Sequence, residues 1–255
     1  MKARRTPRLE VIPLETIPEI RAGADLAREV AAALVRENLS LRTGDIVVLT
    51  QKIVSKAEGR LVDLRKVRPS ATARAWARRL RADPRQVECI LRETRRIIRF
   101  RGRVLIAETR HGFVCANAGV DRSNIPGRHF VACLPRHPDA SARRFAAAIR
   151  RRLGVPVAVI ITDTWGRPWR VGQVNFAIGA AGLRVLRDLR GHKDRSGNRL
   201  HATLLAVADE LSAAAGLVMG KTSGVPVVII RGARFTPARD SARRLLRPAA
   251  QDLFR

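Results

Sequence analysis

Tyrosine is absent from these 255 residues, and phenylalanine and tryptophan make up only 4% of them. Proteins that hold single-stranded nucleic acid stack bases on aromatic rings set among cations, and the few rings here are not interleaved that way. Long apolar runs are missing too. A bilayer-crossing helix needs roughly 18–20 apolar residues in a row, whereas the best stretch, Val155 to Ile161, contains Pro156 and stops at Thr162. No membrane role is expected. The segment Leu9 to Glu19 carries Glu10, Pro13, Glu15 and Pro18 in place of a signal peptide's apolar centre, so the expected compartment is the cytoplasm. Cys89, Cys115 and Cys133 match neither a zinc motif nor a disulfide framework and read as reduced core thiols. Histidines 111, 129, 137, 192 and 201 never fall at i, i+4, which argues against a zinc hydrolase.

Acidic residues are outnumbered. Fifty Lys and Arg face twenty-two Asp and Glu, for a net charge of +28. Counterion release from phosphates would make such a chain bind nucleic acid non-specifically, and an Arg-rich RNA-binding protein without catalysis is one reading. Yet only six of the cations are Lys, and Arg clusters are spread over the whole sequence, as at Arg78–Arg79, Arg95–Arg96, Arg150 to Arg152 and Arg243–Arg244. A dispersed excess is a solvated surface that steers anions weakly, and no specific nucleic-acid partner is expected. With 46% apolar residues, a chain of this length buries roughly 70–75% of its unfolded surface, enough for one compact unit.

Hydrophobic spacing predicts strands at Leu9 to Pro13, Asp45 to Thr50, Val104 to Ala107, Phe113 to Cys115, Phe130 to Leu134, Val155 to Ile161 and Val227 to Ile230. Helices are predicted over Asp25 to Glu37, Ala71 to Ala82, a face from Val87 to Ile98, a helix capped at Asp139 to Ser141 and closed by Gly154, and His201 to Ala215. A last helix is expected over Ser241 to Leu246, in a peripheral tail.

Four segments can carry chemistry. Gly216 to Thr222 superficially resembles a phosphate-binding P-loop, but only three residues separate its glycines and it follows a helix, so only an anion site of another kind remains open. Asp121 to Asn124 can offer a carboxylate and an amide to one ligand, or can be turn chemistry. Thr162-Asp163-Thr164 leaves a buried strand for a predicted loop beside Trp165, Arg167, Trp169 and Arg170, a setting for a divalent ion and phosphates. Gln51 to Arg60 holds two of the six lysines, Lys52 and Lys56, either as phosphate-directed charges or as solvated groups on an exposed turn.

In order, Val11-Ile12-Pro13, Ile17 to Ile20, Gly44 to Val48, Gln51 to Arg60, His111 to Asp121 with Ser123-Asn124, Pro138 to Ala142, Ile161 to Thr164 with Gly166-Arg167, Ala206 to Leu211 and Pro226 to Gly232 resemble the coenzyme F420-0:L-glutamate ligase family, the γ-glutamyl ligases of deazaflavin coenzyme biosynthesis. The resemblance spans roughly Leu9 to Gly232. It implies an α+β fold of mixed sheets with packed helices, in two intimately associated lobes forming one catalytic unit over residues 9–232, with 233–255 a short C-terminal tail. It implies a GTP-dependent ligase that phosphorylates a carboxylate of F420-0 and joins it to L-glutamate, with further γ-linked glutamates in some relatives. A same-fold amide ligase acting on another carboxylate remains an alternative.

Residue by residue, the resemblance implies that Asp121 and Asp163 hold one divalent cation, Mg²⁺ or Mn²⁺, and that Thr164 holds a second. Ile17, Pro18, Glu19, Ile20, Gln51, Lys56, Asn124, Gly220, Lys221 and Thr222 are the implied nucleotide contacts, with Lys56 and Asp163 also catalytic. A homodimer and a response to K⁺ are implied as well. The sequence departs from the family in places. Lys221 stands where some relatives place Gln or Glu on the second metal, Gln51 where some carry a hydroxyl. The short tail implies the stand-alone form, without the reductase domain that some bacterial relatives append. Trp165 and Trp169 are expected to shield the acyl phosphate from water.

Overall fold

The computed structural model describes residues 8–252. Along the chain run β1 (Glu10–Leu14), α1 (Leu26–Arg36), β2 (Ile46–Thr50), α2 (Gln51–Ala57), β3 (Leu61–Asp63), α3 (Ala71–Leu80), α4 (Pro84–Glu93), β4 (Thr94–Arg101), β5 (Val104–Thr109) and β6 (Val114–Ala116). They are followed by β7 (Phe130–Ala132), α5 (Pro138–Leu153), β8 (Ala158–Arg167), β9 (Arg170–Ala181), β10 (Arg187–Asp188), β11 (Leu204–Leu205), α6 (Val207–Met219) and β12 (Val227–Arg231).

Strand alternation builds the larger lobe. Its sheet has the order β1-β12-β2-β8-β9, with β2 and β8 parallel and the other neighbours antiparallel. Successive residues of a strand point to opposite faces, so Val47, Leu49, Val159 and Ile161 pack against α1, α2 and α5. Ile46, Val48, Ala158 and Ile160 pack on the other side against α6. Both faces are covered, which is why these strands read as unbroken β-branched runs. The spacing of α1 holds as expected: the Asp25 carboxylate accepts from Arg28 N at 3.1 Å, and Val30 and Leu34 are buried. The smaller lobe joins the β4-β5-β6 sheet and the β3–β7 ladder to α3 and α4 over a core that includes Leu64, Leu80, Val87, Ile90, Leu105 and Val131. The fold is α+β.

Several boundaries differ from expectation. The helix expected to run to Ile98 ends at Glu93, where Thr94 Oγ1 donates to Ile90 O at 2.7 Å and the chain turns into β4 to pair with β5. The cap of α5 is His137, not Asp139; the Asp139 carboxylate instead accepts from Ala180 N (2.8 Å), Ala242 N (3.0 Å) and Ser241 Oγ (2.6 Å). Gly154 does close α5 in the left-handed conformation, at φ 73°. The last long helix, α6, starts six residues later than His201, because Leu204 and Leu205 pair with β10. Part of the expected tail packs on the core: Ala242 is fully buried, Phe235 and Leu245 lie against the α6-side core, and Ala242–Leu245 forms a 3-10 turn where a helix was expected, while 247–251 are exposed. The tail's final three residues lie outside the described ones.

Candidate active site between the lobes

The site begins at the edge where β2 and β8 run side by side. Thr50 stands opposite Thr162, so Gln51 and Asp163 follow together where the parallel pairing of β2 with β8 ends, beside the carboxyl end of β2, the side on which ligands of such sheets bind. The expected loop after Ile161 is instead strand: β8 continues to Arg167, paired with β9. A bulge makes the transition. Ile161 faces Gly179 while Thr162 faces Ala177, leaving Ile178 without a register partner. Two side chains satisfy the disturbed backbone: Asp209 Oδ1 accepts from Ala177 N at 2.9 Å, and Thr162 Oγ1 donates to Phe176 O at 2.9 Å.

Across this edge lies the smaller lobe, and between them a cavity of about 550 Å³. All the residues expected at the site line it. Ile17, Pro18, Glu19 and Ile20 come from the segment after β1, Gln51 and Lys56 from α2, and Asp121 and Asn124 from the smaller lobe. Asp163 and Thr164 come from β8, and Gly220, Lys221 and Thr222 from the turn after α6. Asp121 is set by a short bridge to β7, its N donating to Ala132 O at 3.1 Å and its O accepting from Ala132 N at 2.8 Å. Before it, Asn117, Ala118 and Gly119 all take positive φ; a Cβ at Gly119 would fall 2.7 Å from Leu134 Cγ.

The segment Gln51–Ala57 is a helix, not an exposed turn, and this decides the lysines. Lys56 is 5% exposed and its Nζ donates to Glu19 Oε1 at 2.6 Å. Lys52 Nζ donates to the Asp121 carboxylate and, at 3.2 Å, to Ser123 Oγ. Gln51 is 1% exposed; its Oε1 accepts from Ser55 Oγ at 2.8 Å, and its Nε2 has no partner among the described residues. Such a buried donor is costly unless a ligand oxygen meets it. With Lys221 the cavity holds three of the six lysines and, among the described residues, no Arg.

The two carboxylates differ. Burial works to raise Asp121, but the Lys52 ammonium and the Ser123 hydrogen bonds overcome it and hold the group down at about 2. Burial dominates at Asp163 and pushes it up to about 6, with Asp121 adding like-charge repulsion and the Thr164 amide and Lys52 opposing. Carboxylate and hydroxyl oxygens are the donors that hard Mg²⁺ and Mn²⁺ prefer. Lys52 and the Ser123 hydroxyl occupy one oxygen of Asp121 and the Arg122 and Ser123 amides the other, so a cation bound there takes the place of the Lys52 ammonium. No three His, Cys, Asp or Glu side chains among the described residues cluster as a complete metal cage. The donor set therefore fits an ion that takes the rest of its shell from water and substrate oxygens, as Mg²⁺ commonly does.

A family model described as F420-0:Gamma-glutamyl ligase matches residues 15–232. The chain belongs to that family. Among curated relatives, the coenzyme F420:L-glutamate ligase of Methanothermobacter thermautotrophicus is 45% identical over 250 residues, covering 97% of this chain and 99% of that protein. The protein of the same name from Methanopyrus kandleri is 46% identical over 256 residues, covering 98% of each chain. That of Methanocaldococcus jannaschii is 41% identical over 249 residues, covering 97% of each.

For a member of the F420-0:γ-glutamyl ligase family, the cavity also contains groups not singled out as site residues from the sequence: Ser123, Thr162, Asn175 and Met219, with Lys52 named there only as an alternative to Lys56. Asn175 carried no signal of its own, standing two residues after another amide, Gln173, in the same segment. The P-loop likeness of Gly216 to Thr222 dissolves, since α6 ends there and β12 follows. Neither tryptophan shields the site. Trp165 stacks on Phe176 at 5.6 Å and leans on Phe113, while Trp169 is 85% exposed at the tip of the β8–β9 hairpin; neither lines the cavity. Cys115 is buried, which pushes its thiol up to about 12 and removes it as a nucleophile.

Proposed function

We propose that this protein is a GTP-dependent ligase that joins a carboxylate of F420-0 to the amine of L-glutamate through an acyl phosphate. The observation that carries the reading is the meeting of Asp121 and Asp163, from different lobes, with three lysines around one cavity. Family membership supports the same substrates, because relatives matching along nearly their whole length bear the name coenzyme F420:L-glutamate ligase. A cavity of about 550 Å³ suits a nucleotide beside a second small substrate.

In the first step a carboxylate oxygen of F420-0 attacks the γ-phosphorus of GTP and GDP leaves. In the second the glutamate amine attacks the acyl carbon, loses a proton, and phosphate departs. Phosphoryl transfer of this kind gains mostly from positioning and from charge neutralisation. A bound Mg²⁺ or Mn²⁺ would neutralise phosphate charge, held by Asp121 and Asp163 with Thr164 beside them. Lys52, Lys56 and Lys221 supply point charges to the triphosphate, and the unpaired Gln51 Nε2 supplies a donor. The implied homodimer and response to K⁺ belong to the same proposal, though no step here depends on them.

The test is direct. Protein, F420-0, GTP, Mn²⁺ and glutamate are incubated and the products weighed by mass spectrometry, which also counts glutamates added. Asp163→Asn is expected to lower product formation at least about 100-fold, the scale of losing one preorganised charge-stabilising group, while melting near the parent temperature. Product formation close to the parent's by that variant would overturn the assignment.

A further inference from the structure

We propose that Asn175 is a positioning residue that fixes the Thr164 hydroxyl as an oxygen donor to a divalent cation. This rests on the reading of the cavity as a cation and nucleotide site. Asn175 sits on β9 directly opposite Thr164 on β8 and lines the cavity with it. Thr164 Oγ1 donates to Asn175 Oδ1 at 2.7 Å, and Asn175 Nδ2 points to Met219 Sδ at 3.5 Å. A thioether sulfur only accepts, so exchanging the amide's oxygen and nitrogen would set two acceptors face to face. The orientation is therefore determined by its neighbours.

The consequence lies in the hydroxyl's inventory. Threonine has one proton and two lone pairs. With the proton given to Asn175, Thr164 meets a ligand with lone pairs alone. A phosphate oxygen needs a donor and gains nothing from that hydroxyl, whereas a cation needs a lone pair. Helix α6 holds the amide in place: a Cβ at Gly216 would fall 3.1 Å from Asn175 Cγ and 3.2 Å from Nδ2. Glycine weakens a helix interior, and the close approach of Asn175 gives a physical reason for one here. Asparagine is likewise a poor strand residue, and two such local exceptions in contact, one of them lining the cavity, mark a site under functional constraint.

The experiment measures Mn²⁺ binding by the electron paramagnetic resonance signal of the free ion, with a non-hydrolysable GTP analogue whose own Mn²⁺ affinity is measured separately. Apparent KM values for Mn²⁺ and for glutamate are determined in parallel. Asn175→Ala is expected to weaken Mn²⁺ binding about 10-fold, as loss of a group orienting a metal ligand does, with KM for glutamate unchanged. Asn175→Asp keeps an oxygen for the Thr164 proton and should bind Mn²⁺ close to the parent. In a Thr164→Val background, Asn175→Ala should add nothing, because its effect passes through the hydroxyl. Parental Mn²⁺ binding by Asn175→Ala, or additive losses in the double variant, would overturn the role of Asn175 while leaving the cation site standing. A parent that binds no Mn²⁺ beyond the analogue's share would overturn both. Should Asn175→Ala fail to fold, Gly216→Ala, which crowds the amide from the helix side, carries the same expectation and the same refutation.

Discussion

At the residue scale, what a side chain can do here depends on which neighbour owns its proton or charge. Lys52 and Lys56 are equivalent in sequence, yet one holds Asp121 and the other Glu19. Their separation by four positions was legible as a shared helical face only once the segment was known to be helical. Asp209 shows the same dependence away from the chemistry. Burial raises its carboxyl above the usual range, against a single hydrogen bond from Ala177 N. A carboxyl raised on folding favours the folded state only while protonated, so its contribution is lost as pH rises from the ordinary carboxylate range, near 4, through the raised value. Asp209→Asn keeps the acceptor and removes the ionisation. Its unfolding free energy in urea should equal or exceed the parent's at pH 7, with any advantage vanishing below about pH 4. Asp209→Ala, which leaves the Ala177 N–H unpaired beside the bulge, should cost about 1–3 kcal/mol. An Asn variant as unstable as the Ala variant at neutral pH would mean that the charge itself supports the fold.

At the scale of elements, periodicity located most strands and helices, and two of its failures share a cause. Ile97 and Ile98 continue the apolar face of α4, but a partner strand was available in β5, and tertiary pairing overrode the helical spacing. Leu204 and Leu205 left the last helix for the same reason. Helix α2 has seven residues, too few for a periodic signal and too short to be stable without the core against which Ile53 and Val54 pack. The β8–β9 hairpin could not be read as such, since its bulge is a matter of register. Gly179, beside that bulge, allows α5 to approach: a Cβ there would lie 2.6 Å from both the C and the O of Pro138. Backbone cannot swing aside, so Gly179→Ala should lower stability by about 1–3 kcal/mol, the usual cost of overpacking, seen as a lower melting temperature. It should also weaken Mn²⁺ binding, because the strand it displaces carries Asn175. A variant melting like the parent would show that α5 can retreat at no cost.

At the scale of the whole molecule, the large positive charge and the site turn out to be separate matters. Arginine crowds the surface in pairs such as Arg144 with Glu58 and Arg190 with Asp188, but none of the described arginines lines the cavity. RNA should therefore associate weakly, with an affinity that falls steeply between about 50 and 200 mM salt. It should not displace GTP, and GTP with Mn²⁺ should raise the melting temperature by mass action at a salt concentration where RNA no longer binds. RNA that stays bound at physiological salt and blocks the nucleotide would favour a nucleic-acid surface reaching into the cavity. By itself the sequence determined most of the helices, the buried strands and the identity of the chemical groups, because periodicity and residue type are local properties carried along the chain, while the α+β class came from the resemblance to the family. Only the tertiary structure decided that Asp121 of one lobe and Asp163 of the other face a common space, that Lys52 lies on Asp121, and that Asn175 takes the proton of Thr164. Those relations are set by strand register, by one bulge and by the docking of two lobes, and each brings together residues whose distance in space has no counterpart in their distance along the chain.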